Sequence, residues 1–212
     1  MKHRLILISA ALLGALAAPA LASDPHANHK HHAPATKDTK GGTAKVRYDD
    51  SVLIDQAGKS MTLKSEVLAD RIVVLDFIYT TCTTICPVLT ATMVRVQDEL
   101  DAKAREDVRM VTITVDPARD TPARMKEYGD KMGVKPGWVW LTGPTGRVNE
   151  VLKGFGAYAP SFEDHPPLIL VGDARSGQWT RFFGFADPKD VIAKVNELRA
   201  ARGAAAPTGH KH

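Results

Sequence analysis

The sequence has little of what usually signals a function. It contains only two cysteines among 212 residues, which excludes a disulfide-stapled scaffold and a four-cysteine zinc site. No stretch beyond the first 22 residues approaches the ~20 apolar residues that a membrane-spanning helix needs. Its 28 basic and 24 acidic residues are scattered, so the basic stripe typical of nucleic-acid-binding proteins is missing. These absences direct attention to the few chemically reactive side chains.

The first 22 residues predict export. Lys2 and Arg4 precede an apolar run that ends in the small-residue pattern Ala20-Leu21-Ala22. This arrangement is typical of a secretory signal peptide cleaved before Ser23. The alternative is a leader that is not cleaved and anchors the chain in the inner membrane. We therefore expect a periplasmic protein that contacts the membrane only through an uncleaved leader, if at all.

Two segments have the composition of disordered chain. Residues 23–43 contain almost no large apolar side chains and predict a flexible linker, and residues 202–212 predict a disordered tail. The linker is rich in histidine, which favours either metal capture or a plain solvated tether. Its histidines are His26, His29, His31 and His32.

Residues 44–201 predict one α/β domain. Apolar runs typical of strands alternate with segments of helical periodicity, and a hairpin and a helix close the domain. The alternation favours an α/β sandwich with a mixed central β-sheet flanked by helices. Strands are predicted at 52–55, 72–79, 108–115, 138–141, 168–172 and 179–183, and helices at 87–104, 121–133, 148–155 and 187–199.

The two cysteines, Cys82 and Cys86, follow the strand predicted at 72–79 and open the next helix. A helix N-terminus favours thiolate over thiol, and residues four apart share one helical face, so both sulfurs can point to one place. A disulfide across so short a loop would stabilise the fold little. The pair is better explained by chemistry: thiolates bind soft metals such as Cu(I), or exchange with disulfides.

His165 is the candidate for a third metal ligand. It is the only histidine between residues 44 and 201, and it lies in a loop just before the strand predicted at 168–172. Pro166 and Pro167 stiffen that loop. The alternative is an ordinary histidine of the core or surface.

Asp116 and Asp120 follow the strand predicted at 108–115. They could lie near the cysteines, at the same edge of the sheet. The favoured interpretation of Asp120 is instead a local one, in the turn that leads into the helix capped by Thr121.

Four motifs occur in a fixed order between residues 46 and 198. They are Tyr79-Thr80-Thr81-Cys82-x-x-x-Cys86-Pro87; Thr114-Val115-Asp116-Pro117-Ala118-Arg119-Asp120-Thr121-Pro122; Gly137-Trp138 followed by Leu141-Thr142-Gly143; and Asp164-His165. Together they resemble the Sco/SenC family of copper-handling proteins. The resemblance implies a thioredoxin-like fold, with Cys82, Cys86 and His165 as copper ligands.

The resemblance also implies a role in maturing the copper centre of cytochrome c oxidase. The partners it implies are the copper-bearing oxidase subunit and other periplasmic copper chaperones, and we expect a monomer. The chain departs from the usual family pattern at Thr81 and Thr83, where histidine and proline are common, and at Pro166 and Pro167. None of these departures removes a ligand, but they leave the receiving protein open.

Two functions therefore compete. The first is a periplasmic copper chaperone that binds Cu(I) or Cu(II) through the cysteine pair and His165. The second is a thiol–disulfide oxidoreductase in which Cys82 and Cys86 are the redox-active pair and reduce the cysteines of an apo copper site. His165 separates the two, because copper binding needs it as a ligand and disulfide exchange does not.

Overall fold

The computed structural model describes residues 40–100 and 102–204. The predicted signal peptide, the four histidines of the linker and residues 205–212 lie outside the described residues.

Within the described residues, eight strands form one sheet and five α-helices cover it. The strands are β1 (Gly42–Thr43), β2 (Val52–Asp55), β3 (Ser60–Thr62), β4 (Ile72–Ile78), β5 (Val108–Thr114), β6 (Trp138–Thr142), β7 (Leu168–Asp173) and β8 (Gln178–Phe183). The helices are α1 (Ile85–Glu99), α2 (Ala102–Asp107), α3 (Pro122–Met132), α4 (Thr145–Phe155) and α5 (Pro188–Ala204). A π-helical turn, Leu63–Leu68, and a 3₁₀ turn, Phe162–Asp164, complete the described elements.

The strand order is β1-β8-β7-β4-β5-β6-β2-β3. β4, β5 and β6 run parallel, while β7 pairs antiparallel with β4 on its other side. The remaining pairs are antiparallel. This mixed sheet flanked by helices confirms the predicted fold class.

The central strand β4 divides the core into two layers. All seven of its residues are buried, as expected for a strand covered on both faces. Because side chains alternate along a strand, Ile72, Val74 and Ile78 pack in the layer that contains α1, α3 and α5. Val73, Leu75 and Phe77 pack in the layer that contains α4. Packing on both faces therefore fixes the end of β4, and the loop with Cys82 begins directly after it.

The helix predicted at 87–104 is two helices. α1 ends at Glu99, where Leu100 adopts an extended backbone with φ −68° and ψ 115°. The Leu100 side chain is buried in the α1 layer of the core. Burial of this side chain competes with continuation of the helix, which periodicity alone does not reveal.

Both predicted disordered segments extend too far into the domain. Gly42 and Thr43, assigned to the 23–43 linker, pair with β8 as strand β1. Arg202, assigned to the 202–212 tail, lies in α5 and binds the buried Asp173 carboxylate. In both places a long-range contact overrides composition. The other predicted boundaries stay predictions.

The described part of the chain holds no helix that combines the length and apolar character of a membrane span.

Adjacent residues of α1 test the orientation of this helix. Leu89 is 0% exposed, whereas Val88 is 48% exposed. We expect Leu89→Ala to lower the free energy of unfolding by about 2–5 kcal/mol, because it leaves a cavity under the helix. Val88→Ala should change it by less than about 0.5 kcal/mol. Chemical denaturation of the reduced protein measures both values, and equal losses would contradict this packing.

Candidate functional site

The cysteines lie where β4 passes into α1. Cys82 sits in the connecting loop and Cys86 in the first turn of α1. The premise that both occupy one helix is therefore wrong, but their proximity is confirmed: the backbone N–H of Cys86 donates to Cys82 Sγ at 3.3 Å. Both are free thiols. Thr84, the residue before the helix, makes no side-chain capping bond, so the Cys82 sulfur takes the place of a capping acceptor.

The two thiols differ in acidity. Burial opposes ionisation of Cys82, but hydrogen bonds from the Cys86 thiol, from the backbone of Cys86 and Thr84, and from the Tyr79 hydroxyl outweigh it and lower the pKa of Cys82 to about 7. Burial raises the pKa of Cys86 well above its usual range, and its hydrogen bond to Cys82 raises it further. Near pH 7, thiol and thiolate forms of Cys82 are therefore similarly populated, while Cys86 stays protonated.

His165 lies between the 3₁₀ turn and β7, and its side chain is buried, with 7% exposed. Burial lowers the pKa of its imidazole to about 4, so the ring is neutral at physiological pH. Its Nδ1 atom is buried and has no hydrogen-bond partner among the described residues. A neutral imidazole with an unused ring nitrogen is a suitable metal donor.

Tyr79 links the cysteines to His165. Its ring meets the His165 ring edge to face, with centroids 5.9 Å apart, and its hydroxyl bonds the Cys82 thiol. Sequence reasoning named Tyr79 only as part of a motif. Its place directly after a buried strand, three residues before a reactive cysteine, was the available signal.

The three candidate ligands do not form a closed set. Within residues 40–100 and 102–204, no three His, Cys, Asp or Glu side chains are grouped closely enough to hold a metal ion. The structure brings Cys82 and Cys86 together and places His165 against Tyr79. The metal-ligand assignment of all three residues stays a prediction.

Asp120 does not have the local role favoured from the sequence. Thr121 caps α3 by accepting from the Arg124 N–H, while the buried Asp120 carboxylate reaches across to the cysteine loop. It accepts the Thr80 N–H at 3.1 Å and the Thr80 hydroxyl at 2.5 Å. It also accepts the Thr114 hydroxyl of β5 at 2.5 Å. These donors satisfy a carboxylate that would otherwise be costly to bury, so tertiary contacts decide its role.

A second loop contact involves Arg119. Its guanidinium pairs with the buried Asp116 carboxylate at 2.9 Å and lies 5.2 Å from the centre of the Phe162 ring. Phe162 in turn packs edge to face on Tyr79, with centroids 5.0 Å apart. The loop that carries Asp116 therefore contacts the loop that carries His165.

Asp76 is a further residue that sequence reasoning missed. It is fully buried in β4 and accepts the Thr112 hydroxyl at 2.5 Å, and Thr112 accepts the Trp138 indole N–H at 2.9 Å. Asp76 Oδ2 has no hydrogen-bond partner among the described residues. Burial raises the pKa of Asp76 to about 7. A single acid within an otherwise apolar strand was the signal for it.

Comparisons with known proteins agree with this geometry. The family model SCO1/SenC matches residues 43–200. The SCO1 protein homolog of Bacillus subtilis is 38% identical over 118 residues, which cover 54% of this chain and 60% of that protein. The match to another curated relative, from Stutzerimonas stutzeri, spans 53% of that protein. The chain thus spans little more than half of these relatives.

Two solved structures have the same thioredoxin-like fold. One is BsSco, a member of the Sco family of cytochrome c oxidase assembly proteins in which a disulfide switch was identified. It has 28% identity, a TM-score of 0.63, and coverage of 75% of this chain and 96% of that one. The other is Bradyrhizobium japonicum ScoI with copper bound, with 29% identity, a TM-score of 0.58, and coverage of 74% and 98%.

The unequal thiols predict unequal reactivity. In the reduced protein, we expect the rate of Cys82 alkylation by iodoacetamide to rise through a midpoint near pH 7, because thiolate is the nucleophile. Cys86 should stay largely unmodified, since it is 0% exposed, against 7% for Cys82, and remains protonated. Tyr79→Phe removes a hydrogen bond to the thiolate and should move the midpoint to higher pH. Peptide mass spectrometry measures both rates, and equal rates for the two cysteines would contradict this assignment.

Proposed function

The chain belongs to the SCO1/SenC family, whose model matches residues 43–200, and from that premise we propose that it is a periplasmic copper chaperone. It binds copper through Cys82, Cys86 and His165 and passes it to the copper centre of cytochrome c oxidase. Copper is the cargo in this proposal.

The observation that carries the proposal is the unused nitrogen of His165. A buried polar atom without a hydrogen bond is costly, yet Nδ1 of His165 has no partner among the described residues. The same side chain contacts Tyr79, which also bonds Cys82. A donor atom without a partner, on a side chain that packs against the same tyrosine as Cys82, supports a ligand role for His165 over a purely structural one.

The thiol pair suits copper. Cu(I) favours soft thiolates and accepts few ligands, and imidazole suits both Cu(I) and Cu(II). A thiol must lose its proton before it ligates a metal. The lowered pKa of Cys82 reduces that cost at neutral pH, whereas Cys86 must release its proton as copper binds. Because the donors do not form a closed set in the described residues, His165 must also approach the sulfur atoms.

The relatives support the choice of cargo and recipient. Bradyrhizobium japonicum ScoI was solved with copper bound, and BsSco belongs to a family of cytochrome c oxidase assembly proteins. We infer that the copper-bearing oxidase subunit receives the metal and that other periplasmic copper chaperones exchange it.

A second candidate function rests on the unequal acidity of the cysteines. A thiol of lowered pKa beside a protonated thiol is the arrangement of a thiol–disulfide oxidoreductase. Cys82 would attack a substrate disulfide and form a mixed disulfide, which Cys86 would resolve. The substrate would leave with two reduced thiols, and Cys82 and Cys86 would end as a disulfide.

Copper titration tests the ligand assignment. We expect the reduced protein to bind one Cu(I) per chain with sulfur coordination, and Cys82→Ala or Cys86→Ala to abolish that site. Thr83→Ala, between the two cysteines, is the matched control and should leave binding unchanged. The disulfide form should lose the site and regain it on reduction. X-ray absorption counts the sulfur ligands, and full sulfur-coordinated binding by both cysteine variants would refute the assignment.

His165 separates the two functions. We expect His165→Ala to weaken Cu(II) binding strongly and Cu(I) binding less, because Cu(II) favours nitrogen donors, and to impair oxidase assembly. Thiol-exchange rates should change little. His165→Phe, which keeps an aromatic ring against Tyr79, should behave in the same way if the nitrogen matters.

The measurement pairs oxidase assembly in a strain carrying each variant with thiol-exchange rates of the purified proteins. Normal assembly in the His165→Ala strain, together with unchanged exchange activity of the purified variant, would favour the oxidoreductase.

A further inference from the structure

The β5–α3 loop, residues 115–121, contacts two other loops through two different side chains. One of those loops carries Cys82 and the other carries His165. We propose that Asp120 and Arg119 are positioning residues, Asp120 for the thiol pair and Arg119 for the imidazole, so that this one loop sets the distance between the two halves of the donor set. The proposal takes the ligand roles of Cys82, Cys86 and His165 from the function proposed above.

Asp120 fixes the start of the cysteine loop. Thr80 lies two residues before Cys82, and both its N–H and its hydroxyl donate to the Asp120 carboxylate. The Thr114 hydroxyl holds that carboxylate from the end of β5. A carboxylate that receives donors from both sides has one orientation, so the Thr80 backbone is tied to the sheet edge just before the reactive sulfur.

Arg119 fixes the start of the histidine loop. Its guanidinium is held by Asp116 and covers the Phe162 ring, which is a cation–π contact. Phe162 lies three residues before His165, and its carbonyl accepts the His165 N–H at 3.4 Å. The Phe162 ring also packs edge to face against Tyr79. Arg119 therefore holds the histidine loop against the residue that touches Cys82.

Arg119 can be changed without leaving its partner unsatisfied. Its own side chain is 55% exposed, but Asp116 is only 4% exposed, so the carboxylate needs a donor in the variant as well. The amide of a glutamine at position 119 can supply that donor but cannot make the cation–π contact with Phe162. Arg119→Gln should therefore leave the fold intact while the histidine loop loses a restraint. This difference makes a positioning role separable from a structural one.

Matched variants test the two arms separately. For the histidine arm, Arg119→Gln is compared with Arg175→Gln, which removes a similarly exposed arginine, 58%, from its pair with Asp70. For the thiol arm, Asp120→Asn is compared with Asp173→Asn, a buried carboxylate that pairs with Arg202. Asp173 ends β7 opposite Ile72, at the far end of β4 from the cysteines. If Asp120→Asn does not fold, Thr80→Val removes one donor of the same contact.

The first measurement needs no copper. Hydrogen–deuterium exchange of the reduced protein should become at least about tenfold faster at the hydrogen-bonded amides of Asp164 and His165 in Arg119→Gln, because local restraint slows amide exchange. In Asp120→Asn or Thr80→Val the same acceleration should occur at residues 79–84. Neither control should accelerate either loop. Unchanged exchange in both loops would overturn the proposal, whatever the protein binds.

The second measurement is copper affinity. Loss of a group that orients a ligand typically costs 10–100-fold in affinity. We expect Arg119→Gln to lower Cu(II) affinity by about tenfold or more and Cu(I) affinity less, as for loss of the imidazole. Asp120→Asn should lower Cu(I) affinity by a similar factor. Unchanged affinities in both variants would overturn the positioning roles, provided that the cysteine variants do lose copper. If the cysteine variants keep copper, the ligand assignment fails instead.

Discussion

The hydrogen bond from the Cys86 N–H to the Cys82 sulfur is the constraint on which the site depends. The bond serves the fold, because the sulfur accepts a backbone N–H that α1 would otherwise leave without an acceptor. The same bond contributes to the acidity of Cys82. Any partner that takes up the sulfur, whether copper or a second sulfur, therefore meets an atom that the first turn of the helix already holds in place.

Sheet topology brings the other half of the candidate site to the same place. β7 is antiparallel to β4, and Asp76 pairs with Ile169. The end of β4 therefore lies beside the start of β7, just after the loop of His165. The parallel neighbour β5 ends at the same edge and supplies the loop with Arg119 and Asp120. Three loops that are distant in sequence meet because three adjacent strands end or begin together.

The sequence was sufficient for the fold class and for the chemically distinctive residues. Burial on both faces makes β4 an apolar run with Asp76 as its one interruption, and two lone thiols or one lone histidine need no structure to be noticed. Contacts between residues distant in the chain could not be predicted from the sequence. Aspartate is a common turn residue, so the sequence favours a local role for Asp120. Only the folded structure shows that Thr80, 40 residues earlier in the chain, donates to its carboxylate.

The same reason explains the missed elements. Leu100 ends α1 because its side chain is buried, β1 exists because β8 offers an edge, and Phe162 matters because Arg119 lies over it. The position of Cys82 outside the helix follows from the backbone of one loop, which residue spacing does not determine.

The buried Asp76 carboxyl has a consequence for how the stability of the domain changes with pH. In the unfolded chain this group ionises near its ordinary value of 3.8, whereas in the folded protein it keeps its proton to about pH 7. Between these values only the native state holds the proton, so the contribution of Asp76 to stability is fully present below about pH 3.8 and is lost as the pH rises to about 7. This is the reverse of the usual behaviour of a salt-bridged carboxylate. The buried His165 imidazole acts in the opposite sense, because its pKa is lowered to about 4 and its contribution to stability is lost as the pH falls toward that value. The two buried groups therefore oppose each other across the mildly acidic range.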